Sequence, residues 1–164
     1  MGHNIAALLI HRPFDPAVAA HYDLIPVALD GGITLFHITH YYSAYWGHIA
    51  PEPGGLDVPA SVPGVFPNDA VLRRMARELT LEAAPTFAVI MTEYFGGVGD
   101  QWACAFNGTR RVTGDKATIN DVLRALGVVR RGEADEFDTV GLGRYRSTPD
   151  ALDRYVDLCD EVGV

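Results

Sequence analysis

The dipeptide Asn107-Gly108 narrows the possible folds of this chain more than any other feature. An Asn-Gly pair between strand-like segments favours a two-residue turn, because both residues reach the positive φ values that such turns require. Here the pair separates residues 101–106 from 109–113, which predicts a hairpin with a type I′ turn. In that register Phe106, Cys104 and Trp102 stand opposite Thr109, Arg111 and Thr113. A hairpin pairs antiparallel strands, so the sheet is expected to be built mainly from antiparallel neighbours.

The flanking segments fill in this plan. Residues 5–10 form a short continuous apolar run, the pattern of a strand inside a sheet. Asp15-Pro16 supplies an N-cap and a first-turn proline for a helix over 17–22. Residues 24–29 and 33–39 flank Asp30-Gly31-Gly32 and predict a second hairpin, with a helix over 41–48 after it. Asn68-Asp69 is read as the cap of a helix whose inner face is Val71, Leu72, Met75 and Leu79, with Arg73, Arg74, Arg77 and Glu78 outside. Residues 86–95 read as a central strand, and Gly96-Gly97-Val98-Gly99 as a tight turn or bulge. Thr118 caps a helix with Ile119, Val122, Leu123 and Leu126 at helical spacing, and residues 135–142 fit either a short helix or a loop. Thr148-Pro149 opens a last helix with Leu152, Tyr155, Val156 and Cys159 inward. Runs of adjacent strands followed by helices predict a single α+β domain over 1–164, with a mostly antiparallel mixed sheet and helices packed against it. The five prolines and three glycines of residues 51–67 mark an irregular excursion from that domain.

Composition excludes several classes of function. A chain of 164 residues, 48% hydrophobic, can bury a sizeable core and is too apolar for disorder. A net charge of -8 argues against general nucleic-acid binding and against anionic membrane surfaces. No apolar run approaches the ~18 residues of a membrane span. The two cysteines, Cys104 and Cys159, read as buried thiols, which makes the cytoplasm the expected compartment. The charge is uneven: residues 148–164 hold one base and five acids, whereas residues 101–147 hold eight bases and six acids.

All six histidines fall within the first 48 residues. The segment from His37 to His48 interleaves them with aromatics, and with Glu93-Tyr94 it suggests a polar pocket of His37, His40, Tyr41, Tyr45, His48, Glu93 and Tyr94. The spacing is only loosely metal-like, without an HExxH pattern, so neither a metal nor a cofactor is expected. The glycines at 96–99 lack the following helix and lysine of a phosphate loop.

The stretches Tyr94-Phe95-Gly96-Gly97-Val98-Gly99-Asp100-Gln101 and Asp135-Glu136-Phe137-Asp138 resemble pieces of small bacterial proteins of unassigned function. Some similar small acidic bacterial proteins are toxin-neutralising immunity proteins, so the resemblance implies a non-enzymatic protein-binding domain. Its acidic face would meet a basic protein partner through Asp150, Asp153, Asp157 and Asp160. The alternatives are a small enzyme or ligand-binding domain using the His/Tyr/Glu pocket, and a self-associating module with the Tyr/Trp stretch around Trp46 as its interface.

Overall fold

The computed structural model describes residues 2–11 and 13–164. Six strands form one sheet in the order β2-β3-β1-β4-β5-β6: β1 (Ala6–Ile10), β2 (Pro26–Ala28), β3 (Thr34–Ile38), β4 (Thr86–Phe95), β5 (Val98–Asn107) and β6 (Arg110–Arg111). All five strand pairings are antiparallel, as an α+β fold predicts. The helices are α1 (Pro16–His21), α2 (His40–Ile49), α3 (Val71–Thr80), α4 (Ile119–Ala125), α5 (Glu136–Val140) and α6 (Arg154–Val162).

Side-chain alternation along the strands divides the interior into two cores, one on each face of the sheet. Leu8, Ile10, Phe36, Ile38, Phe87, Val89, Cys104 and Phe106 face the first, which Tyr42 and Trp46 of α2, Met75 and Leu79 of α3, and Tyr155 of α6 complete. Ala7, Leu9, Leu35, Ala88, Ile90, Ala103 and Ala105 face the second, closed by Ile119, Val122 and Leu123 of α4 and Val140 of α5. Coverage on both faces explains why every residue of β1 is buried and why its sequence shows no polar alternation. The alanines on the second face leave room for α4 to approach closely.

Local signals set most helix ends. The Asp15 carboxylate accepts from Ala17 N, Thr39 accepts from Tyr42 N, and Thr118 with Asp121 forms a capping box on α4. The irregular stretch 51–67 is held down, with Leu56 and Phe66 buried in the first core and Glu52 paired with Arg77 at 2.8 Å.

Four expectations are corrected. The β5–β6 turn is Gly108-Thr109, with Asn107 opposite Arg110 and Phe106 opposite Arg111. Only Gly108 has a positive φ there, the pattern of a type II′ turn rather than type I′. Asn107 stays in the strand because its side-chain amide donates to Thr86 Oγ1 at 3.0 Å. Helix α3 has no side-chain cap: the Asp69 carboxylate is engaged by the Ser43 hydroxyl at 2.6 Å. Arg73, expected outside, is buried and donates to Pro53 O at 3.2 Å. Val156, expected inside, is exposed, because a 3-10 turn over Asp150–Leu152 precedes α6 and changes its phase.

Candidate functional site

Strands β4 and β5 are joined by Gly96-Gly97, both with positive φ, and run on past the end of β1. Where they project, the second-core face loses its helical cover and opens into a cavity of about 370 Å³. Thr92 and Tyr94 of β4 and Gln101 of β5 form its floor, continuing the register of Ile90 and Ala103. Asn120 of α4, Asp135 and Phe137 around the start of α5, His3 and Arg146 form the walls. That volume lies within the range of small-molecule sites.

Backbone amides hold the polar walls. Gln101 Oε1 accepts from Ile119 N at 2.7 Å, and Gln101 Nε2 donates to the Tyr94 hydroxyl at 3.1 Å. Asn120 Oδ1 accepts from Phe137 N at 2.8 Å, and Asn120 Nδ2 donates to Asp135 Oδ2 at 3.1 Å. Asp135 Oδ1 accepts from Asp138 N at 2.8 Å. Each amide keeps an N–H, and the carboxylate keeps lone pairs, for a further partner.

His3 lies between Thr92 Oγ1, 2.8 Å from Nδ1, and Leu142 O, 3.3 Å from Nε2. A carbonyl only accepts, so the hydrogen is assigned to Nε2 and Nδ1 accepts from the Thr92 hydroxyl. Burial first, and the charge of Arg146 to a lesser extent, lower the His3 pKa against the opposing bond to Leu142, so the ring is neutral at pH 7. The His3 and Phe137 rings are tilted by 57°, with centroids 5.6 Å apart. Arg146 is exposed at the mouth and makes no ion pair among the described residues. The cavity therefore offers an unpaired cation, spare amide donors, a carboxylate and an aromatic wall. Both nitrogens of its histidine are already engaged.

Of the seven residues expected to form a pocket, only Tyr94 lines this cavity. His37 leaves β3 on the face of Leu35, and its Nδ1 is buried without a partner. It borders a separate cavity of about 110 Å³ with Val27 and Tyr155. Burial lowers the pKa of His37 and of His40. His40 opens α2 on the opposite side of the sheet and lies against Tyr41, with ring centroids 3.9 Å apart. Tyr41 and His48 are exposed, and Tyr45 packs on Trp46 and Tyr155. Glu93 is exposed on the other face of β4. Trp46 is a core residue, edge-on to Tyr22 and bonded through Nε1 to Tyr155 OH at 3.2 Å. Asp150, Asp153, Asp157 and Asp160 are exposed and form no ion pairs among the described residues. Among the described residues no group of three or more His, Cys, Asp or Glu side chains could hold a metal ion.

His3, Thr92, Asn120 and Phe137 carried no site reading in the sequence, and Gln101 entered only through the resemblance. A signal was present, because the stretches 94–101 and 135–138, which carried the resemblance to uncharacterised bacterial proteins, are two that meet at this cavity. No family model, curated protein or solved structure matches the chain, and the site rests on its own geometry.

Proposed function

We propose that the cavity binds a small organic anion that also carries a hydrogen-bond donor. One observation carries this reading: Gln101, Asn120 and Asp135 are each fixed by a backbone N–H, so their free donors and acceptors are oriented before a ligand arrives. Such preorganisation lowers the entropic cost of binding. Arg146 supplies a guanidinium fork for a carboxylate or phosphate, Asp135 accepts the donor, and Phe137 covers the apolar part. The test is a panel of acetate, succinate, benzoate, phosphate and the common amino acids, read by thermal shift and by the His3 ring resonances. A true ligand raises the melting temperature and shifts His3, and Arg146→Met weakens it about tenfold or more without unfolding the protein. If no panel member shifts His3 at millimolar concentration, the reading fails.

A second reading, an immunity-like domain that binds a basic protein, is supported by α6. Asp153, Asp157 and Asp160 recur at helical spacing along one exposed stripe, with Asp150 one turn earlier. Polylysine is a suitable probe. Its addition should shift the α6 amides first and the effect should vanish in Asp157→Lys/Asp160→Lys; a uniform response over the whole surface removes this reading.

A further inference from the structure

The projecting ribbon of β4 and β5 has a second face, opposite the cavity. On the first-core face the helical layer ends at Met91 and Trp102, and the next two cross-strand pairs are Glu93 with Asp100 and Phe95 with Val98. All four residues are exposed; Phe95 is 86% and Val98 79% accessible, among the most exposed large apolar side chains of the molecule. Glu93 and Asp100 stand directly opposite each other, an unfavourable arrangement for like charges, and neither makes an ion pair among the described residues. Beside them the sheet continues through Asn4 to Arg146, whose carbonyl accepts from Asn4 N at 2.7 Å. Among the described residues no helix covers this patch, which forms a depression of about 880 Å³.

The depression is therefore lined by an apolar pair at the ribbon tip, by two carboxylates and by one guanidinium, none of these charges paired among the described residues. We infer that the partner of this face is a second copy of the chain. A two-fold contact uses one patch twice, so it needs a patch carrying both halves of each complementary pair. Here Phe95 and Val98 of each copy enter the depression of the other, and Arg146 of each copy meets Glu93 and Asp100 of the other. The charge opposition at the ribbon is relieved in the pair. The contact is small, so the association is weak and salt-sensitive. Arg146 borders both the cavity and this depression, so an anion in the cavity and the second copy would compete for its guanidinium.

Sedimentation equilibrium from about 10 μM to about 1 mM tests it, a range matched to weak association. The wild type shows a concentration-dependent dimer. Glu93→Arg and Arg146→Glu each weaken it by at least about tenfold, and an equimolar mixture of the two variants recovers most of the affinity, because one mixed contact keeps Arg146 against Glu93 and Asp100 and the other sets the two introduced, opposite charges against each other. Circular dichroism of each variant confirms that it is folded. A monomer throughout the range overturns the inference, as does a dimer insensitive to both substitutions or a mixture that stays monomeric.

Discussion

The Thr92 hydroxyl lies 2.8 Å from His3 Nδ1 and also receives the Ile5 amide at 3.1 Å. One side chain thus satisfies the Ile5 amide and donates to the ring nitrogen that the Leu142 carbonyl leaves as an acceptor. Thr92→Val keeps the shape and removes both bonds, leaving buried polar groups unpaired, and should cost about 2 kcal/mol. Thr92→Ser keeps the hydroxyl and should cost about 1 kcal/mol or less. Urea denaturation of the three proteins checks this; equal losses for Val and Ser would show that the hydroxyl contributes nothing.

Stability should fall as pH drops below about 6.5. The pKa values of His3, His37 and His40 are all lowered in the folded state, chiefly by burial. The unfolded chain therefore binds protons first, starting near the ordinary histidine value of about 6.5, and stability declines until the lowered folded values are passed. A second loss begins near the ordinary carboxylate range, because hydrogen bonds and ion pairs hold Glu52, Glu78 and Asp121 below it. His37→Leu removes the unpartnered Nδ1 and should flatten the first phase without loss of stability at pH 7. Denaturation midpoints at pH 7.5, 6.5, 5.5 and 4.5, chosen around these transitions, should resolve the two phases; an unchanged slope for His37→Leu would contradict this account.

Gly99 is required by close approach. A Cβ built there would clash with Glu93 O and would lie 2.7 Å from Tyr94 Cα. The clash is with backbone, which cannot swing aside, so Gly99→Ala should cost more than about 2 kcal/mol. Gly97, with φ of 79°, has nothing within 4 Å of such an atom. Gly97→Ala should cost only about 1 kcal/mol of left-handed strain, and Gly97→Asn less. Thermal melts of the three variants should rank in that order, and a Gly99→Ala protein as stable as Gly97→Ala would refute the assignment.

Tyr155 joins α6 to the first core through two bonds, accepting from Trp46 Nε1 at 3.2 Å and donating to Asp23 Oδ2 at 2.8 Å. Burial, and after it the bond to Asp23, pushes its pKa up to about 12. Tyr155→Phe leaves the Trp46 N–H unpaired and should cost about 1–2 kcal/mol. Asp23 keeps its 2.7 Å ion pair with Arg154 in that variant, and because this pair is half exposed, adding Asp23→Asn should deepen the loss by no more than about 1 kcal/mol. A double-mutant cycle with a large additional loss would place the energy elsewhere.

Much of the fold was legible because its signals are local. Asp15-Pro16 starts α1 and Thr118 starts α4, each within one helical turn. The unbroken apolar run of β1 anticipated a strand buried on both faces. The errors arose where a distant group claimed a residue: Thr86 holds Asn107 out of the turn, and Ser43 takes the carboxylate of Asp69. The start of β5 was hidden because Val98-Gly99-Asp100 has no strand-like pattern, so the tight turn or bulge read over residues 96–99 narrows to Gly96-Gly97.

The site was less legible for the same reason. His3 contacts Leu142 across 139 positions, and Arg146 reaches the mouth through a bridge to Asn4. No window of sequence contains those pairs. The clustering of His37 and His40 misled because a strand ends and a helix begins between them, which puts their rings on opposite sides of the sheet.

Between Thr92 and Gln101 the backbone serves two surfaces by turns, with Tyr94 toward the cavity and Glu93 and Phe95 away from it. Side chains on one surface can therefore diverge freely without disturbing the other, but chain length cannot. One inserted or deleted residue would transpose the two sets, turning carboxylates into the cavity and the phenol outward. In related chains this ribbon should therefore vary by substitution at constant length, and the spacing from 92 to 101 should outlast the identity of almost everything it carries.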